Sequence, residues 1–517
     1  MYTMTNDQKD ALFVLLKSLS KSEKRQFKVY VGRLGVNNDS KFLALFNHLD
    51  KSDVFDEQVI LQKGIVKKQQ LSNLKAHLYK QILISLRLNP VHQNVRSQIR
   101  EQLDFATILY HKGLYKQSLK ILDKAKTIAI ENEESNLAYE IVELEKVIET
   151  QYITRSIHTR ADELAVQAKT LSMKNVLASR LSNLSLQLYG LMLKTGYVKN
   201  DTEHKQITAY FESKMPEYDW ELMGFREKLW LYKAQLWYSF MVQDFLSCYK
   251  YSKKWVDLFY EHPNMIALNP VFFLKGNNYL MESLFLIKNR TKLHDSITRL
   301  EKMVDSDGFP LDDNNEALIF MYIHNNTLNL HFLEGTFQEG EPLVNQILEG
   351  LMRYRDRIDA HHVMVLYYKI GCLYFGMGDN KRCIDYLQKI INNKSLKMRE
   401  DLLCFSRVLS LVAHYEAGLD YHLETQLKET YKFLIKMNDL HAVQKEMIKF
   451  LKNLGDIYPS QIKLEFKKLY AILKQYEEHP YEKRAFLYLD ILSWLESNIE
   501  ERPVADIIKE KAKTLTR

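Results

Sequence analysis

The chain has 517 residues, 46% of them hydrophobic, with 31 Tyr and 24 Phe but only 17 Gly and 9 Pro. So little punctuation excludes a loop-rich or all-β fold and points to helices. The net charge of +7 sits in the head: residues 1–100 carry 17 Lys and Arg against 8 Asp and Glu, a net of +9, which leaves −2 for the remainder.

No run of eighteen apolar residues occurs, so no bilayer-spanning helix is expected. The first residues lack the basic start, apolar centre and small-residue cleavage site of an export signal. Cys248, Cys372, Cys383 and Cys404 form neither a disulfide framework nor a CxxC pair. A reducing cytoplasm is the expected location.

In chain order, three apolar sets with i, i+3, i+4, i+7 spacing predict amphipathic helices: Leu12, Leu15, Leu16, Leu19; Phe27, Tyr30, Val31, Leu34; and Phe42, Leu45, Phe46, Leu49. Ser20 and Glu23 have capping-box spacing, which starts the second of these near Lys21. A longer helix over 67–88 carries Leu71, Leu74, Leu78 and Ile82, and Asn89-Pro90 stops it. These features define a basic helical N-terminal domain, 1–92.

From residue 93 the pattern changes to longer helix pairs with turns at a nearly constant interval. The clearest unit, YYKIGCLYFGMGDNKRCIDYLQKI, carries Tyr367, Ile370, Gly371, Tyr374, Gly378, Cys383, Leu387 and Ile390. A second has Phe105, Ala106, Leu109, Gly113, Ser118, Leu122 and Ala125 at the corresponding places. Small residues such as Gly371 and Cys383 let two antiparallel helices approach closely, and the large ones fill the space beside them. Further turns are expected at Arg155-Ser156, Gly196, Gln243-Asp244, Asn289-Arg290, Gly335 and Gly418, about 40 to 47 residues apart.

These units resemble tetratricopeptide repeats, with the eight residues of the clearest one matching positions 4, 7, 8, 11, 15, 20, 24 and 27. The resemblance covers residues 95–437. The interval exceeds the roughly 34 residues of that repeat, and Ser395 stands where the thirty-second position has a proline. The expected fold is all-α: an α-solenoid of tetratricopeptide-like hairpins over 93–440, a small N-terminal helical domain and a helical C-terminal cap over 441–517. The cap includes a helix from Pro459 and a final apolar helix over 481–499 that hides the open end of the repeat core. The head, LSKSEKRQFK at Leu19 to Lys28, is also similar to uncharacterised bacterial proteins with a basic helical N-terminal domain.

The chain contains no GxxxxGK[ST], HExxH or GxSxG motif, and no GxGxxG after a strand. No enzyme, cofactor or metal site is expected. The histidine pairs His324 and His331, His361 and His362, and His414 and His422 lack the ligand spacing for one ion without further donors. Cys372 and Cys383 read as packing thiols.

In such a repeat, positions 2, 5, 6, 9 and 12 of the first helix point into the concave groove. Counting from Gly335 places Tyr322, Asn325, Asn326, Asn329 and Phe332 there. The same count gives Asn183 and Gln187, Lys233 and Trp237, and Tyr368 and Lys369, and near the Asn289-Arg290 turn Asn277 is expected beside them. An amide both donates and accepts, so this set suits the backbone of an extended peptide; individually, each is also an ordinary polar residue of a solvated helix face. In the head, Lys17, Lys21, Lys24, Arg25, Lys28 and Arg33 cluster around Phe27 and Tyr30. They suit nucleic-acid phosphates, an acidic protein, or simply the polar side of an amphipathic helix. The expected function is a protein-interaction scaffold that holds a partner segment or peptide in its groove. The alternative is a peptide-responsive regulator whose basic head binds nucleic acid.

Overall fold

The computed structural model describes residues 10–33, 41–89, 94–151, 159–393, 400–419, 423–436, 442–453, 459–486 and 490–514. Among these, every regular element is a helix and there is no strand. The boundary placed at residue 92, the turn at Arg155-Ser156, Leu34, Ser395 and His422 lie outside the described residues. By contact the chain divides into two compact units, Met1–Ala161 and Asp162–Arg517.

In the first unit, α1 (Ala11–Ser18), α2 (Lys21–Arg33), α3 (Lys41–Lys51), α4 (Glu57–Gln62) and α5 (Lys68–Arg87) enclose a core of their own. Leu16, Phe27, Phe46 and Leu78 are fully buried in it. The capping box forms as its spacing implies: Ser20 N–H donates to Glu23 Oε2 at 2.7 Å, and Glu23 N–H to Ser20 Oγ at 3.2 Å. Short α4, capped by Asp56, has no apolar stripe long enough to register in the sequence. Then come α6 (Val95–His111), α7 (Tyr115–Glu131) and α8 (Ser135–Gln151). The α6–α7 seam is close at the small residues, where Ser118 Oγ donates to the Ala106 carbonyl at 2.8 Å.

The second unit opens within α9 (Arg160–Thr195) and continues through α10 (Asp201–Lys214) into successive hairpins: α11 (Phe225–Met241) with α12 (Phe245–Glu261), short α13 (Asn264–Leu268), α14 (Pro270–Leu286) with α15 (Arg290–Val304), α16 (Asp313–Glu334) with α17 (Glu341–Arg353), α18 (Ala360–Gly376) with α19 (Asn380–Ile391), and α20 (Glu400–Glu416) with α21 (Leu423–Lys436). Neighbouring first helices pack on one another, α14 on α16 and α16 on α18. This is an all-α repeat of helical hairpins with one continuous core running from Leu184 to Leu495.

A shared local device makes several of the turns. One residue takes left-handed backbone, Gln243 (φ 59°), Lys288 (φ 55°) or Gly378 (φ 79°). The next, Asp244, Asn289 or Asp379, then caps the second helix by accepting from the N–H three residues on, at 3.0, 3.1 and 3.0 Å. In the α18–α19 hairpin, a Cβ on Gly371 would lie 3.3 Å from Leu387 Cδ2. Leu387 is fully buried, which contributes about 1.5–3 kcal/mol.

The C-terminal segment departs from its expected form. Instead of one helix over 481–499 there is a 3-10 turn at Lys483–Phe486 and then α24 (Ile491–Glu500). Asp490 caps α24 by accepting from Ser493 N–H at 3.0 Å, and Glu501 ends it in left-handed backbone. An unforeseen α25 (Val504–Thr514) follows. Before them, α22 (Ala442–Asn453) packs on α21 and on α23 (Pro459–Lys474), which packs on α24. Helix α25 turns back onto α16: a Cβ on Gly335 would meet the Ala505 carbonyl at 2.7 Å. Tyr481 also reaches back, its hydroxyl donating to Asp201 Oδ1 of α10 at 2.7 Å. No helix is long and apolar enough to cross a membrane among the described residues.

Candidate functional site

The inner ends of α9, α10, α11, α14, α16 and α18 surround a cavity of ≈1160 Å³. Among the described residues, none of α12, α15, α17 or α19 lines it, so the first helix of each hairpin makes the wall. Aromatic rings supply much of its surface. Trp237 stands 4.7 Å from Tyr189 and 5.5 Å from Tyr279 by ring centroids, and Phe240, Phe285, Tyr322 and Phe332 extend the lining.

A directional chain of hydrogen bonds crosses three helices beside the cavity. Lys369 Nζ donates to Asn329 Oδ1 at 2.6 Å, Asn329 Nδ2 to Asn326 Oδ1 at 3.2 Å, Asn326 Nδ2 to Asn278 Oδ1 at 2.9 Å, and Asn278 Nδ2 to Glu282 Oε1 at 3.0 Å. An ammonium only donates and a carboxylate only accepts. The two ends therefore fix the orientation of all three amides, since flipping any one sets donor against donor. Lys369 also donates to the Asn325 carbonyl at 3.2 Å. Burial pushes the Lys369 ammonium down to about 8, against the pull of Glu282.

Next to this chain stands an amide outside it. Asn325 lines the cavity and is 8% exposed, yet its side-chain Oδ1 has no hydrogen-bond partner. A buried amide oxygen left unpaired costs about 1–3 kcal/mol, so a ligand donor in the cavity recovers that cost on binding. Cys372 also lines the cavity, and burial pushes its thiol up to about 12, so near neutral pH it is an uncharged wall group.

The structure gathers six of the ten expected groove residues in this one cavity: Trp237, Tyr322, Asn325, Asn329, Tyr368 and Lys369. Four do not line it. Asn183 and Gln187 are exposed on α9, and Gln187 accepts from the Tyr210 hydroxyl. Lys233 lies one turn from Trp237. Asn277 faces the core, 1% exposed, donating to the Phe273 carbonyl at 2.9 Å.

The expected turn falls on Asn289, whereas the left-handed residue is Lys288; counted from Asn289 the inward positions are 276, 279, 280, 283 and 286, so neither turn gives Asn277. Counted from Lys288, the inward positions are Lys275, Asn278, Tyr279, Glu282 and Phe285, and the last four line the cavity. A lysine gives little sign in sequence that it will take a left-handed turn, so Asn278 and Glu282 were missed. Asn326, counted inward, instead turns into the seam between α14 and α16, where it is fully buried.

In the head, Lys21, Lys24, Arg25 and Lys28 line one shallow depression with Asp50. Lys24 pairs with Asp50 at 2.8 Å, and Lys17 donates to the Asp50 carbonyl at 2.9 Å. Lys28 lies over the Phe46 ring, and Arg33 is exposed at the end of α2. The three described histidines at helical positions 324, 331 and 414 place Nδ1 against the Phe320 carbonyl, Thr336 Oγ1 and the Ser410 carbonyl. His362 Nδ1 lies 2.5 Å from Asp359 Oδ2. Among the described residues no three His, Cys, Asp or Glu converge as metal ligands. No protein-family model, curated protein or solved structure matches the chain.

Proposed function

We propose that the chain is a non-catalytic interaction scaffold, built from tetratricopeptide-like hairpins and working in the cytoplasm, whose cavity holds an extended segment of a partner protein or a peptide. The observation that carries this is the unpartnered amide of Asn325, beside an ammonium and among aromatic rings. A peptide backbone supplies donors and acceptors for the first, and its side chains supply apolar surface for the last. The size of the cavity agrees: ≈1160 Å³ exceeds the roughly 300–1,000 Å³ of ordinary small-molecule sites.

The test is capture. Immobilised full-length chain retains a specific protein from its own lysate, identified by mass spectrometry with nuclease present, and the Asn325→Ala, Asn329→Ala variant loses it. Retention of nothing above background, or equal retention by the variant, overturns the proposal.

A second reading has one observation in its favour. Lys21, Arg25 and Lys28 share the exposed face of α2 at i, i+4, i+7 spacing, opposite buried Phe27 and Val31. This stripe suits the phosphates of a nucleic acid, in which case the chain acts as a peptide-responsive regulator. Binding of a duplex oligonucleotide by the full chain must then weaken steeply as salt rises. A flat salt response removes this reading.

A further inference from the structure

One turn along α11 from Trp237 lies Lys233, and farther along the same stripe lie Trp230 and Arg226. On α14, Lys275 and Phe272 stand in the same relation to Tyr279. Spacings of three and four continue the stripes of the cavity-lining Trp237 and Tyr279 along α11 and α14, one turn and more beyond the cavity wall itself. Trp230 and Phe272 meet edge to face, with centroids 5.4 Å apart at 81°. The Lys233 ammonium lies 4.6 Å from the Trp230 centroid and 5.3 Å from that of Phe272.

This sector holds three cations and no balancing acid. Among the described residues, no carboxylate lies within ion-pair distance of Arg226, Lys233 or Lys275, and Arg226 Nη1 is buried without a hydrogen-bond partner. Burial, followed by the neighbouring charge of Lys275, lowers Lys233 to about 8. Elsewhere the chain compensates cations of comparable burial: Lys126 and Arg160 share the carboxylate of Glu145.

The chemistry of the missing anion follows from the rings. Lys233 covers a face of each ring, and Trp230 and Phe272 also pack on each other and against the core, which leaves little ring surface for the base stacking that single-stranded nucleic acids and nucleotides use. Carboxylates need no such platform. An extended chain points residues i and i+2 to one side, roughly 6.6 Å apart, close to the roughly 6 Å that separate positions i and i+4 of a helix.

From this we infer that the segment held in the cavity continues past its wall along α11 and α14 and is acidic there, presenting an Asp or Glu to Lys233 and Lys275 two residues from a bulky apolar side chain that packs on Trp237 and Tyr279. This rests on the peptide reading of the cavity.

The test uses two labelled decapeptides, one repeating Glu-Ser-Trp-Ser, which sets each Glu two residues from a Trp, and the other Gln-Ser-Trp-Ser, and fluorescence anisotropy on the full chain at low salt. The Glu peptide binds at least about tenfold more tightly, the scale of one charge-assisted contact. Lys233→Gln with Lys275→Gln abolishes that preference and leaves the affinity for the Gln peptide unchanged, which also shows that the variant remains folded. Should the double variant unfold, Lys275→Gln alone is expected to reduce the preference. Equal binding of both peptides by the wild-type chain overturns the acidic assignment and leaves the peptide reading standing. If neither peptide binds, both fall. Displacement of the Glu peptide by a single-stranded oligonucleotide at equal charge concentration overturns the choice of occupant.

Discussion

Two buried polar systems, one in each unit, solve the same problem differently. In the first unit, fully buried Glu145 of α8 meets Lys126 of α7 at 2.6 Å and Arg160 of α9 at 3.3 Å. Opposite charges meet within one cluster, where each offsets the desolvation of the others. In the second unit, Lys369 and Glu282 stand at opposite ends of a chain of three amides, with a cavity alongside and an unpaired amide next to them. A closed cluster fixes the register of its helices. A chain with its charges held apart, beside a hollow of ≈1160 Å³, leaves polar groups next to an open cavity instead of sealed between helices.

The largest expected effect breaks the closed cluster. Glu145→Ala leaves two buried cations without their shared carboxylate, and should destabilise the first unit by about 3–5 kcal/mol. Denaturant unfolding followed by proteolytic mapping of the two units checks this; a loss below about 1 kcal/mol means that the cluster is not the closed system described. Next comes the centre of the open chain. Asn326→Ala orphans Asn278 Oδ1 and one hydrogen of Asn329, and should cost about 1–3 kcal/mol in unfolding free energy.

The charged end of the chain is read by pH. Lys369 carries its proton less tightly folded, at about 8, than unfolded, near 10.4. Between these values the unfolded state binds more protons, so the contribution of this group to stability rises with pH and is flat below about 8. Lys369→Met should remove that rise from the stability profile between about pH 8 and 10.4, and identical profiles for the two proteins refute the assignment. The smallest effect sharpens the contrast most. Asn325→Ala deletes an amide whose oxygen is already unpaired, so it should not lower the unfolding free energy, because the lost packing is offset by relief of the roughly 1–3 kcal/mol desolvation penalty of that oxygen, while capture of the partner is lost. A cost like that of Asn326→Ala would place Asn325 among the structural amides.

Neighbours 325 and 326 also mark where sequence reading stops. Both are Asn, and both fall at inward positions counted from Gly335. What separates them is a rotation of about 100° on a helix and the presence of α14 on one side only. That side places Asn326 against Asn278, whose own position depended on Lys288 turning left-handed.

Local chemistry was legible from the sequence by itself. The Ser20–Glu23 capping box, the left-handed glycines at 113, 196, 335, 378 and 418, the small-residue seam at Gly371 and the helical period all depend on residues within a few positions of one another, where propensity and sterics act directly. Tertiary structure alone decided the rest. It set which face of α14 meets α16, brought Lys369 and Glu282 to the ends of one chain, and turned α25 back onto α16. Each of these is a contact between side chains far apart in sequence, chosen by which of several apolar and polar faces find partners, and no window along the chain contains both sides of that choice.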